Sequence, residues 1–186
     1  MLAAITAFIE SVDAIDFLHA DHERIRRLFG EFERLLQAGA KDEAEELARC
    51  ICREVTLHAT VEEEIFYPEA RAAIADANLV REARVEHALV KYLIEQILKS
   101  SIADEKFTAR VRVLGACMLR HMREEDDIMF VRARATGLDM HEIGSRIAAR
   151  KHDLQTEMDL LEEGRGPRRR RTGFANRTAQ RWRLAS

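Results

Sequence analysis

Three features of this sequence predict an all-α fold: a four-helix bundle running up, down, up and down, with one further C-terminal helix and a basic tail. Only two prolines and eight glycines interrupt 186 residues, too few turn formers for an all-β chain. Apolar residues recur at alternating steps of three and four, the spacing of a helical bundle seam. The periodic stretches are parted by short breaks at Gly39, Pro68 and Gly137, and short breaks make neighbouring helices antiparallel. A chain of this length buries a core without staples.

The elements follow from the punctuation. A first helix runs from Asp13 to Ala38 and stops at Gly39; a second runs from Asp42 to Tyr67 and closes at Pro68. A short turn over Glu69 to Ala75 leads to a third helix, Asn78 to Ser100. The fourth spans Asp104 to Ala135 before Gly137, and the fifth Asp139 to Glu163. Asp13, Asp42, Asn78, Asp104 and Asp139 serve as N-caps, since their side chains can accept the free amide protons of a first turn. The chain then divides into an N-terminal extension (1–12), a bundle domain (13–163) and a tail (164–186).

Charge is unevenly spread. The net charge of −3 conceals a tail, Arg165 to Ser186, with eight arginines and no acid. The other 22 Lys/Arg face all 33 Asp/Glu, leaving the body at −11. The tail is read as a solvated, disordered extension; nucleic acid or anionic lipid is the alternative partner, kept open by Trp182 among the arginines. The apolar start, MLAAITAFIE, lacks a basic leader, and no run is long enough to span a bilayer. Three cysteines, Cys50, Cys52 and Cys117, form no CxxC pair. These points favour a soluble cytoplasmic protein with no membrane partner, monomeric or weakly self-associating.

The inward stripes carry the chemistry. The first helix offers Ile15, Leu18, His22, Ile25, Phe29, Phe32 and Leu36; the second Ala44, Leu47, Ile51, Val55, His58, Glu62 and Ile65. The third offers Val80, Ala83, His87, Val90, Ile94 and Ile97; the fourth Phe107, Val111, Leu114, Met118, His121, Glu125 and Ile128. One isolated histidine on such a stripe is ordinarily a satisfied core residue. Here each helix has one, and two are followed by a glutamate four residues on. Buried carboxylates are disfavoured unless paired or bound to metal. With helices antiparallel and a rise of about 1.5 Å per residue, all four polar intrusions fall roughly 14 Å from the same end.

Helix geometry selects among the acids. In LRHMREEDDIMF, Glu125 lies about 40° from His121 around the helix and Glu124 about 60° the other way, while Asp126 and Asp127 point away. In HATVEEEIFYP the same spacing selects Glu62 over Glu63 and Glu64, whose expected place is a solvated face. Four imidazoles and two carboxylates, without a thiolate, suit two first-row ions bridged by carboxylates. A single zinc takes four ligands and leaves two buried groups unpaired; paired iron uses all six, as in other bundles.

The ordered set His22, His58-x-x-x-Glu62, His87 and His121-x-x-x-Glu125, inside DFLHADHERIRRLF, HATVEEEIFYPEAR and HMREEDDIMFVRAR, resembles the hemerythrin-like, or HHE cation-binding, family from about Asp13 to Glu163. The resemblance implies two iron ions, carboxylate-bridged by Glu62 and Glu125 with an oxo or hydroxo bridge, His22 and His58 on one iron and His87 and His121 on the other. Two departures stand out. Oxygen-carrying hemerythrins have HxxxH on the third helix, whereas HALVK places Lys91 there, leaving an open position for water, oxygen, peroxide or nitric oxide. The carriers also use an aspartate five residues after the last histidine, which makes Asp126 the competitor of Glu125. His19 is expected to be exposed or to support the site, His141 and His152 to lie on the surface, and Tyr67 to pack nearby.

Two functions stay open on these residues: a module that binds or senses oxygen, nitric oxide or peroxide, and an enzyme-like role in iron delivery, iron–sulfur repair or detoxification of peroxide or nitric oxide. A helical scaffold with zinc or no metal is the third.

Overall fold

The computed structural model describes residues 12–74 and 76–163. Helix α1 spans Ala14–Gln37 and α2 spans Lys41–Val61. One π-helical turn, Glu62–Phe66, joins α2 to α3, Tyr67–Ala73, in a single rod. Helix α4 covers Ala77–Leu98. A second such rod is built from α5, Phe107–Glu124, a π turn at Glu125–Met129 and α6, Phe130–Arg134. Helix α7, Met140–Glu163, packs against α1 and α2. The expected bundle with its fifth helix is therefore present, and no helix among the described residues is long and apolar enough to cross a membrane. The readings made for residues 1–11 and 164–186 lie outside the described residues.

The caps refine the expected boundaries. Asp13 accepts from the amides of Ile15 and Asp16, as a cap should. Asp139 does the same for His141 and Glu142. The α4 cap is Asp76, which accepts from Asn78 N, so the expected Asn78 is already inside the helix. Asp104 binds Lys106 N in the turn before α5 instead of starting the helix. Helix α2 starts at Lys41 with no side-chain cap, and Asp42 sits in its first turn. Gly39, with φ 75°, closes α1 by letting Ala40 N reach Leu35 O and Gly39 N reach Leu36 O.

The core is two apolar clusters with a polar layer between them. Leu18, Leu57, Val61, Phe66, Ala70, Phe130 and Ile147 belong to one end. Ile25, Phe32, Ile51, Val55, Ile94, Leu114 and Met118 belong to the other. His22, His58, Glu62, His87, His121 and Glu125 lie between, each at most 1% exposed. The three thiols are free, and burial pushes Cys52 up to about 12, which makes it a packing residue.

The second π turn corrects one inward assignment. An extra residue per turn moves the buried face along by one, so Ile128, expected inward, is 38% exposed and Met129 is buried in its place.

Helix α7 is drawn close to the start of α1. A Cβ built on Gly144 would stand 2.0 Å from Val12 O and 2.7 Å from Ala14 N. Gly144→Ala is expected to cost about 1–3 kcal/mol through overpacking. Chemical denaturation will read this, and an unchanged midpoint would refute the close approach.

Candidate metal centre

The six stripe residues meet in one layer, as four imidazoles in two pairs with two carboxylates across them. His22 Nε2 and His58 Nε2 are 3.2 Å apart, and His87 Nε2 and His121 Nε2 are 3.0 Å apart. Glu62 Oε1 lies 3.2 Å from His58 Nε2, while its Oε2 lies 3.5 Å from His87 Nε2. Glu125 Oε2 is 3.3 Å from His22 Nε2 and 3.2 Å from His121 Nε2. Each carboxylate thus spans both pairs.

The outer nitrogens explain which way the rings face. His22 Nδ1 lies 2.8 Å from Asp126 Oδ1, His87 Nδ1 2.9 Å from Glu63 Oε1, and His121 Nδ1 2.8 Å from Glu86 Oε2. His58 Nδ1 faces Asp21 Oδ2 at 3.7 Å, too far for a hydrogen bond, and is buried without a hydrogen-bond partner. An ionised carboxylate only accepts, so for His22, His87 and His121 it keeps the proton on Nδ1 and turns the Nε2 lone pair inward. Every one of these acids adjoins a layer residue in sequence and serves a different helix. Asp21 on α1 serves α2, Glu63 beside α2 serves α4, Glu86 on α4 serves α5, and Asp126 beyond α5 serves α1. The arrangement is a closed ring around the bundle.

Each acid has its own cation. Arg26 Nη2 is 2.6 Å from Asp126, Lys91 Nζ 2.8 Å from Glu63, Arg120 Nη1 2.6 Å from Glu86, and Lys151 Nζ 2.5 Å from Asp21. Lys91, at the position of the carriers' additional histidine, therefore clamps the acid behind His87. Asp126 points at Nδ1 of His22, away from the layer's centre, and the inward carboxylate is Glu125. His19 is 55% exposed and lies 3.1 Å from Asp126, so it is both a surface residue and a neighbour of the site. Glu63 departs from the expected solvated face; Glu64 and Glu124 keep it, paired with Arg150 and Arg120. His141 and His152 are exposed.

The π turns shape the walls. In each, the amide five residues on bonds back to the glutamate carbonyl: Tyr67 N to Glu62 O and Phe130 N to Glu125 O. This widened turn puts Tyr67 against the layer, its hydroxyl donating to Glu125 Oε1 at 2.8 Å and lying 3.3 and 3.4 Å from Nε2 of His87 and His121. Its counterpart Phe130 stacks on His22 at 5.4 Å. One pair of imidazoles has a hydroxyl beside it and the other an apolar ring.

The donor set fits cations. Both oxygens of Glu62 and Oε2 of Glu125 are buried without a hydrogen-bond partner, a costly state for a carboxylate. With Nδ1 protonated, facing Nε2 atoms present lone pairs to each other, and only a positive centre between them removes the repulsion. His22, His58, Glu62 and Glu125 form one group able to hold a metal, and Glu62, His87 and His121 another.

The family model for the hemerythrin HHE cation-binding domain matches residues 13–133. The chain belongs to that family. A protein from Nostoc sp. (strain PCC 7120), named DNA nickase, is 27% identical over 153 residues; these make up 81% of this chain but 42% of that protein, so the chain spans less than half of its length. A crystal structure of a hemerythrin HHE cation-binding domain-containing protein from Mycobacterium kansasii shares the fold. It gives a TM-score of 0.67 over 78% of this chain and 89% of that one, at 19% identity. The protein is thus a metal-binding, hemerythrin-like bundle.

Left to themselves, the side chains of this hemerythrin layer hold protons. His121 is raised to about 10 against its burial, by Glu125 and Glu86, and His22 is raised well above its ordinary value against burial by Asp126, Glu125 and Glu62. Burial and the neighbouring Glu125 push Glu62 up to about 8. His58 is pushed down to about 4 by burial. Raised groups bind more protons folded than unfolded, so their contribution is whole below the unfolded value and is lost as pH rises. For Glu62 the loss runs from about 4.5 through 8, and for His121 from 6.5 through 10. Cations need the same atoms deprotonated. Chelator-treated protein is expected to lose thermal stability between pH 6.5 and 8.5, and metal-loaded protein to keep it. Parallel curves for the two forms would count against the exchange of protons for cations.

Proposed function

We propose that the layer holds two iron ions and that the protein binds or senses oxygen, nitric oxide or peroxide at them. In this reading His22 and His58 ligate one iron, His87 and His121 the other, and Glu62 and Glu125 bridge. One observation carries it: two pairs of inward nitrogens are spanned by two carboxylates, and both oxygens of Glu62 and Oε2 of Glu125 are buried without a hydrogen-bond partner. Bound iron supplies a redox-active centre that takes a small diatomic ligand or peroxide. The chain does the rest. The carboxylate ring backs each imidazole, Phe66 and Phe130 keep water from one side, and the Tyr67 hydroxyl, donating to Glu125 Oε1, lines the other. Lys91 adds no imidazole to the His87 side, so the donors there leave one ligand position for an exogenous group.

Protein purified without oxygen is expected to carry two irons per chain. His58→Ala should lose at least one, while exposed Glu64→Gln keeps both. Metal analysis checks this, and iron content unchanged in His58→Ala would sink the ligand assignment. Mixing the reduced protein with each candidate ligand in a stopped-flow spectrometer separates a stable adduct, expected of a binder or sensor, from turnover, expected of the enzyme-like alternative.

A second reading comes from the relative named DNA nickase. A shared DNA partner would meet the arginine-rich segment 165–186 through phosphate contacts, with affinity falling steeply in salt. Plasmid binding and nicking assays on the full chain and on a chain ending at Glu163 test it.

A further inference from the structure

Three of the four carboxylates behind the histidines take their cation from the bundle itself, and the pattern repeats between its halves. Arg26 lies four residues after His22, and Lys91 four residues after His87. Arg120 immediately precedes His121. The matching position, immediately before His58, is Leu57, fully buried in the apolar cluster to which Ile147 and Leu154 of α7 also belong. No cation can stand there. Lys151 of α7 reaches in instead, 7% exposed, and holds both oxygens of Asp21 at 2.5 Å with the Phe17 ring 5.5 Å from its Nζ. A lysine is almost never this buried without a charged partner. Asp21 in turn is the acid that faces His58.

We infer that α7, which lies beyond the residues matched by the family model, is a working part of the metal centre, with Lys151 as a positioning residue that acts on His58 through Asp21. The inference rests on the metal reading above. With its two oxygens clasped, Asp21 is kept on the layer side of α1. Released, a carboxylate at the edge of the bundle turns to water and leaves the His58 ring without a backstop. A simple tie between α7 and the bundle would explain the ion pair equally well, so the test must read metal and not only stability.

The experiment loads the full chain with cobalt(II), whose visible bands report its ligands, and follows its loss to a chelator. Lys151→Met and Asp21→Asn are each expected to speed the loss from the His22 and His58 site by about tenfold or more, the usual scale for groups behind a ligand. Lys151→Arg should stay near wild type, and Lys151→Met should add nothing in the Asp21→Asn background. A Lys151→Met protein that loads and releases cobalt like wild type overturns the inference alone, as does an acceleration that persists without Asp21. Should Lys151→Met fail to fold, Asp21→Asn decides: release at the wild-type rate overturns the inference. A wild-type chain that takes up no cobalt overturns the metal reading, and this one with it.

Discussion

Six polar side chains cut through the middle of a hydrophobic bundle, and a cation is what makes that tolerable. Burying Glu62 and Glu125 side by side, with four imidazole lone pairs turned toward them, concentrates negative potential where water cannot relieve it. Protons relieve part of it, as the raised affinities of Glu62, His22 and His121 indicate. On the proposed reading, metal ions relieve it at every atom together. The helix lengths, the antiparallel order and the two π turns all serve to bring these six groups to one height.

The next layer outward is as regular as the first. Four acids pass around the bundle from helix to helix, each fixing a ring on a neighbour, and each is held by a basic residue. Removing any one helix would take away both an inward donor and the support of another helix's donor. On the proposed reading stability and metal geometry are the same property, carried by hydrogen bonds and ion pairs that join elements far apart in sequence. Asp21 and Lys151 are 130 residues apart.

Much of this was legible in the residues, for physical reasons. The seam spacing exposed the helices, and one histidine per stripe, with glutamate four residues on in two of them, is a pattern that periodicity makes visible. The rest depended on tertiary partners. Nothing in EEEIF or EDDIM marks a widened turn, so Ile128 was placed inward and the approach of Tyr67 was undecided. Glu63 reads as a solvent-facing charge, and nothing local singles out Glu86 or Asp21, because their partners lie on other helices. Their one local sign was adjacency to a layer residue, a sign shared by acids such as Glu124 that do face water. Lys151 had no local sign at all.

The division of the core into two apolar clusters has a consequence for the life of the chain in a cell. Each cluster alone is a small core, and the polar layer lies between them. On the proposed reading, the free energy that holds the metals is also the energy that joins the halves. Supply of metal then sets how often the bundle opens to proteases, so abundance of the protein would follow the metal status of its surroundings without any change in its synthesis.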